Sequence, residues 1–402
     1  MKKWLWVLLI PFLLTLAVPR TALADDDIDW MVAEEIEKEI RENIADALST
    51  ADLHELEQYY QEYAQTLSPV TGGRDLKSFI AMLAQGGADL SAADVFGKVM
   101  EALLAGLKQT IPAVAQIIIV ALVFSLISHF KPSFGETSVS KAAQTAQYVI
   151  VGTMALGMFA SAFSIGSGAI EAMTSFTGAF FPLMLALLTA LGGLTSAAIL
   201  KPATVALTTG ISMLYKAFVL PLIILLTVFT LISHFSTTIK LSGFCNLLKS
   251  IVKWGMGIGL TIFIGVVVIH GLLGSSFDGV SIKTAKFTID KFVPIVGSLF
   301  AQSVDVVITC TLLIKNAVGI AGIIIIAAIV ISPAFTILAH YFLFKLTGAV
   351  LEPIAEGGMS KFVQDAADVL MMLFVAVIAA AIMFFVTTAV IIGAGNANIM
   401  LR

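Results

Sequence analysis

Eight stretches of this chain are each long and apolar enough to cross a bilayer as a helix: 111–130, 146–166, 179–200, 217–235, 254–274, 292–314, 318–344 and 369–394. No other feature narrows the choice of fold so far. In hydrocarbon every backbone N–H and C=O must be satisfied within the protein, and a continuous apolar run of this length does so only as a helix. The fold class that follows is all-α: a polytopic helical membrane protein. Composition agrees, since charged residues make up 12% of the chain and mean hydropathy is +0.99, against about 25% charged residues in soluble domains. No basic footprint for nucleic acid is present.

The front of the chain differs. Lys2 and Lys3 precede the apolar core "WLWVLLIPFLLTLAV", and "ALA" (22–24) follows with small residues at the −3 and −1 positions. This pattern predicts a signal peptide over 1–24, cut between Ala24 and Asp25. Residues 25–110 then carry 18 acidic against 6 basic side chains, while 111–402 carry 9 against 14. An acidic extracytoplasmic segment (25–110) thus precedes a transmembrane domain (111–402). Within the segment Ile36, Ile40, Ile44 and Leu48 recur at helical spacing, as do Leu53, Leu56, Tyr60, Tyr63 and Leu67. Pro69 and "TGGR" (71–74) close the second of these helices. Shorter amphipathic helices are expected over 75–84 and, with Ser91 as cap, 91–109.

With the N-terminus outside, eight crossings put nine lysines inside and leave five basic residues outside, which favours eight over six. Six crossings give seven against seven. Both counts leave the C-terminus outside.

Three apolar runs end alike: "SLISHF" (125–130), "TLISHF" (230–235) and "TILAHYF" (336–342). Residues 141–235 and 244–342 also share an order of features. A lysine-bearing lead-in is followed by a Gly-spaced helix, a proline, a closing lysine and a final His-aromatic pair. Read as three-helix repeats, the second would enter the membrane inverted, as in many transporters.

His129, His234 and His340 stand beside aromatics at run ends and read first as interfacial anchors. Asp305, with Gln302 one turn before it, is the sharper candidate. A mid-membrane carboxylate must face protein or water, so the two side chains either line a polar path or form a single hydrogen-bonded pair between helices. Gly255 and Gly259 make a GxxxG step that lets a second helix approach closely and is compatible with a homo-oligomer. Cys245 and Cys310 form no CxxC pair, so neither a disulfide framework nor a metal site is expected. No nucleotide-binding loop or hydrolase motif occurs. Neither an enzyme nor a cofactor is indicated.

"AQIIIVALVFSLISHF", "TGAFFPLMLALLTALGG", "KPATVALTTGISMLYKAFVLPLIILLTVFTLISHF" and "AGIIIIAAIVISP", behind a leader and an acidic head, resemble the stage III sporulation protein AE family of endospore formers over essentially the full length. The resemblance implies a multi-pass protein of the mother-cell membrane around the forespore. Its partners would be the sister stage III sporulation proteins (AA to AH) and, through them, stage II sporulation protein Q. The implied role is a channel or secretion-like apparatus that sustains forespore development and late forespore gene expression, with a separate ATPase supplying energy. No catalytic residue is carried over. Two other readings of the residues stand beside it: an autonomous secondary transporter coupled through Asp305, and a non-conducting membrane scaffold.

Overall fold

The computed structural model describes residues 44, 53–87, 92–129, 138–235, 241–274, 297–353 and 358–394. Among these there is no strand. Ala24 and Asp25, the expected cleavage site, lie outside the described residues, as does Ser91.

Within the described stretch 53–87 stand three short helices, α1 (His54–Glu62), α2 (Ala64–Thr71) and α3 (Leu76–Ala84). Of the stripe expected from spacing, Leu53, Leu56, Tyr60 and Leu67 are buried and Tyr63 is half-buried. Gly72, at φ +63°, ends α2 in the left-handed conformation that relieves helix carbonyls. Asp75 then caps α3 by accepting from the Ser78 N–H at 3.2 Å. The hydrogen bonds from Ser78, side chain first and then backbone, hold the Asp75 carboxyl below the usual carboxylate range. The Tyr60 hydroxyl donates to the Arg74 carbonyl at 2.6 Å and ties α1 to the turn before α3.

The remaining helices are long. They are α4 (Ala92–His129), α5 (Ser138–Ala190), α6 (Leu194–Met213), α7 (Leu220–Phe235), α8 (Ser242–Gly274), α9 (Gly297–Leu351) and α10 (Met359–Gly393). A π-helical turn, Leu214–Val219, joins α6 to α7 without a break. Six helical runs among the described residues are therefore long and apolar enough to cross a membrane. The protein is a polytopic all-α membrane protein.

Here the helices depart from the hydropathy windows. The windows 146–166 and 179–200 share α5 as far as Ala190, and 292–314 and 318–344 share α9. The helix boundary in this region falls instead at Gly192-Gly193. Gly192 takes φ +82°, and the Gly193 N–H returns to the Leu188 carbonyl at 3.1 Å. At about 1.5 Å per residue, the 53 residues of α5 reach roughly 80 Å, far beyond the ~30 Å of a bilayer core. The expected segment boundary at 110 also lies inside a helix, because α4 continues through Pro112.

Contacts fix the direction of each helix. Lys345 meets Asp368 while Gly319 meets Ile392, so α9 and α10 are antiparallel. Gly166 meets Leu373 and Val377 while Gly358 meets Tyr148, so α5 runs parallel to α10. Gly106 meets Thr336 and Thr110 meets His340, so α4 runs parallel to α9. The six runs thus alternate in direction. Each candidate repeat holds two runs, α5 with α6–α7 and α8 with α9, so the second enters the bundle in the same sense as the first. The α9–α10 hairpin forms the centre, flanked by α5 and α4, and α1–α3 lie across α5 and α9. Tyr59 meets Phe176 edge-on, with ring centroids 5.2 Å apart.

Candidate functional site

The start of α10 collects a cluster of polar groups. "MSKFVQDAAD" places Ser360, Gln364 and Asp368 on one face and Lys361 and Asp365 on another, by the three-and-four spacing of a helix. The first face meets α9. Lys345 Nζ pairs with Asp368 Oδ1 at 2.8 Å and donates to the Gln364 carbonyl at 3.3 Å. Ser360 Oγ donates to the Gly348 carbonyl at 2.7 Å, and Gln364 Nε2 donates to Ser360 Oγ at 3.1 Å. Gly348 admits this approach, since a Cβ there would lie 2.5 Å from Gln364 Cγ.

The second face meets α7. His234 Nε2 lies 3.2 Å from Asp365 Oδ2, and Nδ1 lies 2.9 Å from the Thr230 carbonyl. Both ring nitrogens face acceptors, so the contact is complete when a proton is shared between imidazole and carboxylate. Phe362 packs on the ring at 5.6 Å. Lys249 of α8 and Lys361 stand near enough to act on Asp365. Beneath the pair is a cavity of about 20 Å³ between α5, α7, α9 and α10, walled by Phe159, Thr227, Thr230, Phe344, Phe362 and Ala366 among others. It has room for about one water molecule.

The far end of α10 is closed differently. Lys315 is fully buried, and its Nζ donates to the Ile392 carbonyl at 2.8 Å and to the Ala394 carbonyl. Those carbonyls end a helix and have no N–H of their own to accept from; the ammonium caps them and sits at the negative end of the helix dipole.

The residues singled out from sequence fall in several places. Gln302 and Asp305 belong to α9 and His129 ends α4, but their side chains lie outside the described residues. His340 sits well inside α9. Its Nδ1–H donates to the Thr336 carbonyl at 2.8 Å and approaches Thr110 Oγ1 at 3.3 Å, while Thr110 donates to the Gly106 carbonyl. It links α9 to α4 from a buried position, which a headgroup anchor does not occupy. With six alternating runs, α4, α7 and α9 end on one side, but His340 lies about three turns before the end of α9. Gly255 and Gly259 face Phe218 and Leu214 of the π-helical turn, and a Cβ at either glycine would collide with those side chains. Lys315, Lys345, Asp365 and Asp368 were not singled out. Their signal was present, as lone charges inside or just before apolar runs.

Fold and polar contacts together define a multi-pass membrane protein whose buried charges are used to join helices. The family model described as stage III sporulation protein AE matches residues 74–395. Stage III sporulation protein AE of Bacillus subtilis (strain 168) is 34% identical over 270 residues, covering 67% of this chain and 68% of that protein. The chain belongs to the stage III sporulation protein AE family, and its role is in sporulation. No solved structure matches it.

Proposed function

We propose that the chain is the integral-membrane subunit of a multiprotein channel or secretion-like apparatus that links mother cell and forespore and is required for forespore development. The family match over 74–395 carries this reading. In it, the protein sits in the mother-cell membrane around the forespore. The acidic front, including α1–α3, faces the intermembrane space and docks the other stage III sporulation proteins (AA to AH), through which stage II sporulation protein Q is reached. The chain performs no chemistry of its own. The geometry supports a fixed platform over an autonomous transporter: Lys315, Lys345, Asp365, Asp368 and His234 are each engaged by a neighbouring helix, and the cavity beside them has room for about one water molecule.

The test is purification of the tagged full chain from sporulating cells in mild detergent. Sister stage III proteins should co-purify, and replacing the exposed acids Glu55 and Glu62 of α1 with glutamine should reduce their recovery and the spore yield. A chain recovered alone from cells that sporulate normally would overturn the reading.

A further inference from the structure

The outward face of α5 differs from that of α8. On α8 the exposed positions are Phe244, Leu247, Ile251, Trp254, Ile258 and Ile262, side chains that lipid solvates well. Between residues 151 and 190 of α5 no large apolar side chain is exposed. The exposed positions there include Gly157, Ser161, Ser164, Gly168, Glu171 and Ser175, and the series continues to Gly178. The steps alternate four and three residues, the 3.5-residue period of two helices wound around each other. Gly157, Gly168 and Gly178 each have open space where a Cβ would stand.

A second and independent observation is charge. Glu171 lies within an apolar stretch, Thr145–Ala190, and its side chain is 67% exposed. Its partner at 3.5 Å is Lys216 of the π-helical turn, itself 35% exposed. Intramembrane charges in membrane proteins face protein or water. Within one chain the Glu171 carboxylate faces Lys216 and is otherwise open on the outward face.

We propose that the α5 face is the contact through which two copies of this chain associate in the membrane. Copies in one membrane share an orientation, so a two-fold axis along the membrane normal sets α5 beside the mate's α5 in parallel. Glu171 and Lys216 then meet their counterparts at one depth. Two carboxylates and two ammoniums alternate there, and each carboxylate gains a second cation, a self-complementary arrangement of the kind a two-fold interface requires. Small side chains along the seam let the backbones come close, which is how helices associate where no hydrophobic force favours it. Length selects the occupant as well. The seam from Gly157 to Gly178 needs a partner helix that is small-faced over the same span, and the mate's α5 supplies one. This association does not depend on the channel reading.

The experiment is cysteine cross-linking of the full chain in native membranes. Ser164→Cys and Ser175→Cys should each form a disulfide-linked species of twice the mass under mild oxidation, while Ile258→Cys on α8 should not. Glu171→Lys should cut cross-linking at Ser164→Cys roughly tenfold, the factor that corresponds to about 1.4 kcal/mol. Adding Lys216→Glu to Glu171→Lys should restore it. Both changes lie on the exposed face, and unchanged thermal unfolding would exclude misfolding as the cause. Equal cross-linking at α5 and α8, or none at α5, overturns the proposal. A cross-link to a protein of different mass also overturns it, by assigning the face to another partner.

Discussion

The two ends of α10 are held by the same residue type from the same neighbouring helix, by opposite means. At its C-terminal end, Lys315 is fully buried and binds only backbone carbonyls. At its N-terminal end, Lys345 is about one-third exposed and binds the Asp368 carboxylate, which is 44% exposed. The first contact spends a buried charge on the helix dipole and on carbonyls at the helix end. The second pairs two charges that water also solvates. Burial therefore decides which contact holds the hairpin: the C-terminal end is fastened, and the N-terminal end is trimmed.

The largest effect should come from Lys315→Ala. The substitution removes the donor from two half-buried carbonyls and opens a void the length of a lysine stem, costing roughly 3 kcal/mol. The check is thermal unfolding of the detergent-solubilised full chain. Lys315→Met keeps the apolar stem and loses the donors, so it separates the two contributions. If Lys315→Met is as stable as wild type, the hydrogen bonds do not fasten the end and the comparison fails on that side.

Much of this was legible beforehand. The apolar runs specify a helical membrane bundle, because no other backbone arrangement satisfies itself over such lengths. The break at Gly192-Gly193, where Gly192 takes φ +82°, falls inside the window 179–200, because a hydropathy window does not register glycine as a helix end. The number of passes was harder to read. A hydropathy window registers Lys315 as a loop, whereas the chain buries it by bringing carbonyls from 77 and 79 positions away. His340 was misplaced for a similar reason. A histidine beside an aromatic at the end of an apolar run reads as an anchor until Thr110, 230 positions away, is brought next to it. The His234–Asp365 pair likewise depends on α7 and α10 running antiparallel, which follows from a six-run count and not from the eight-window count.

An intermediate effect is expected at that pair, whose side chains are 15% and 31% exposed. Asp365→Ala removes the acceptor facing His234 Nε2 and leaves Lys249 and Lys361 without the carboxylate between them. Discounted for partial solvation, the cost should be about 1 kcal/mol. Asp365→Asn keeps a hydrogen-bonding group against the ring and should recover part of that loss. If Asp365→Ala costs as much as Lys315→Ala, then the N-terminal end is fastened too, and burial is not what ranks the two ends.

The smallest effect should be at Lys345. In Lys345→Gln the ion pair to Asp368 is lost, but the Gln amide can still donate toward the Gln364 carbonyl, and water reaches Asp368. Polar contacts between membrane helices average only about 0.6 kcal/mol, and half-exposed ion pairs contribute no more than that. The expected change is about 0.5 kcal/mol, near the limit of a thermal scan, so the decisive measurement is a double-mutant cycle with Asp368→Asn. A coupling below about 0.5 kcal/mol sharpens the contrast between the ends. A coupling of about 2 kcal/mol would mean that the carboxylate is shielded when the protein sits in lipid, and that the start of α10 is as fixed as its finish.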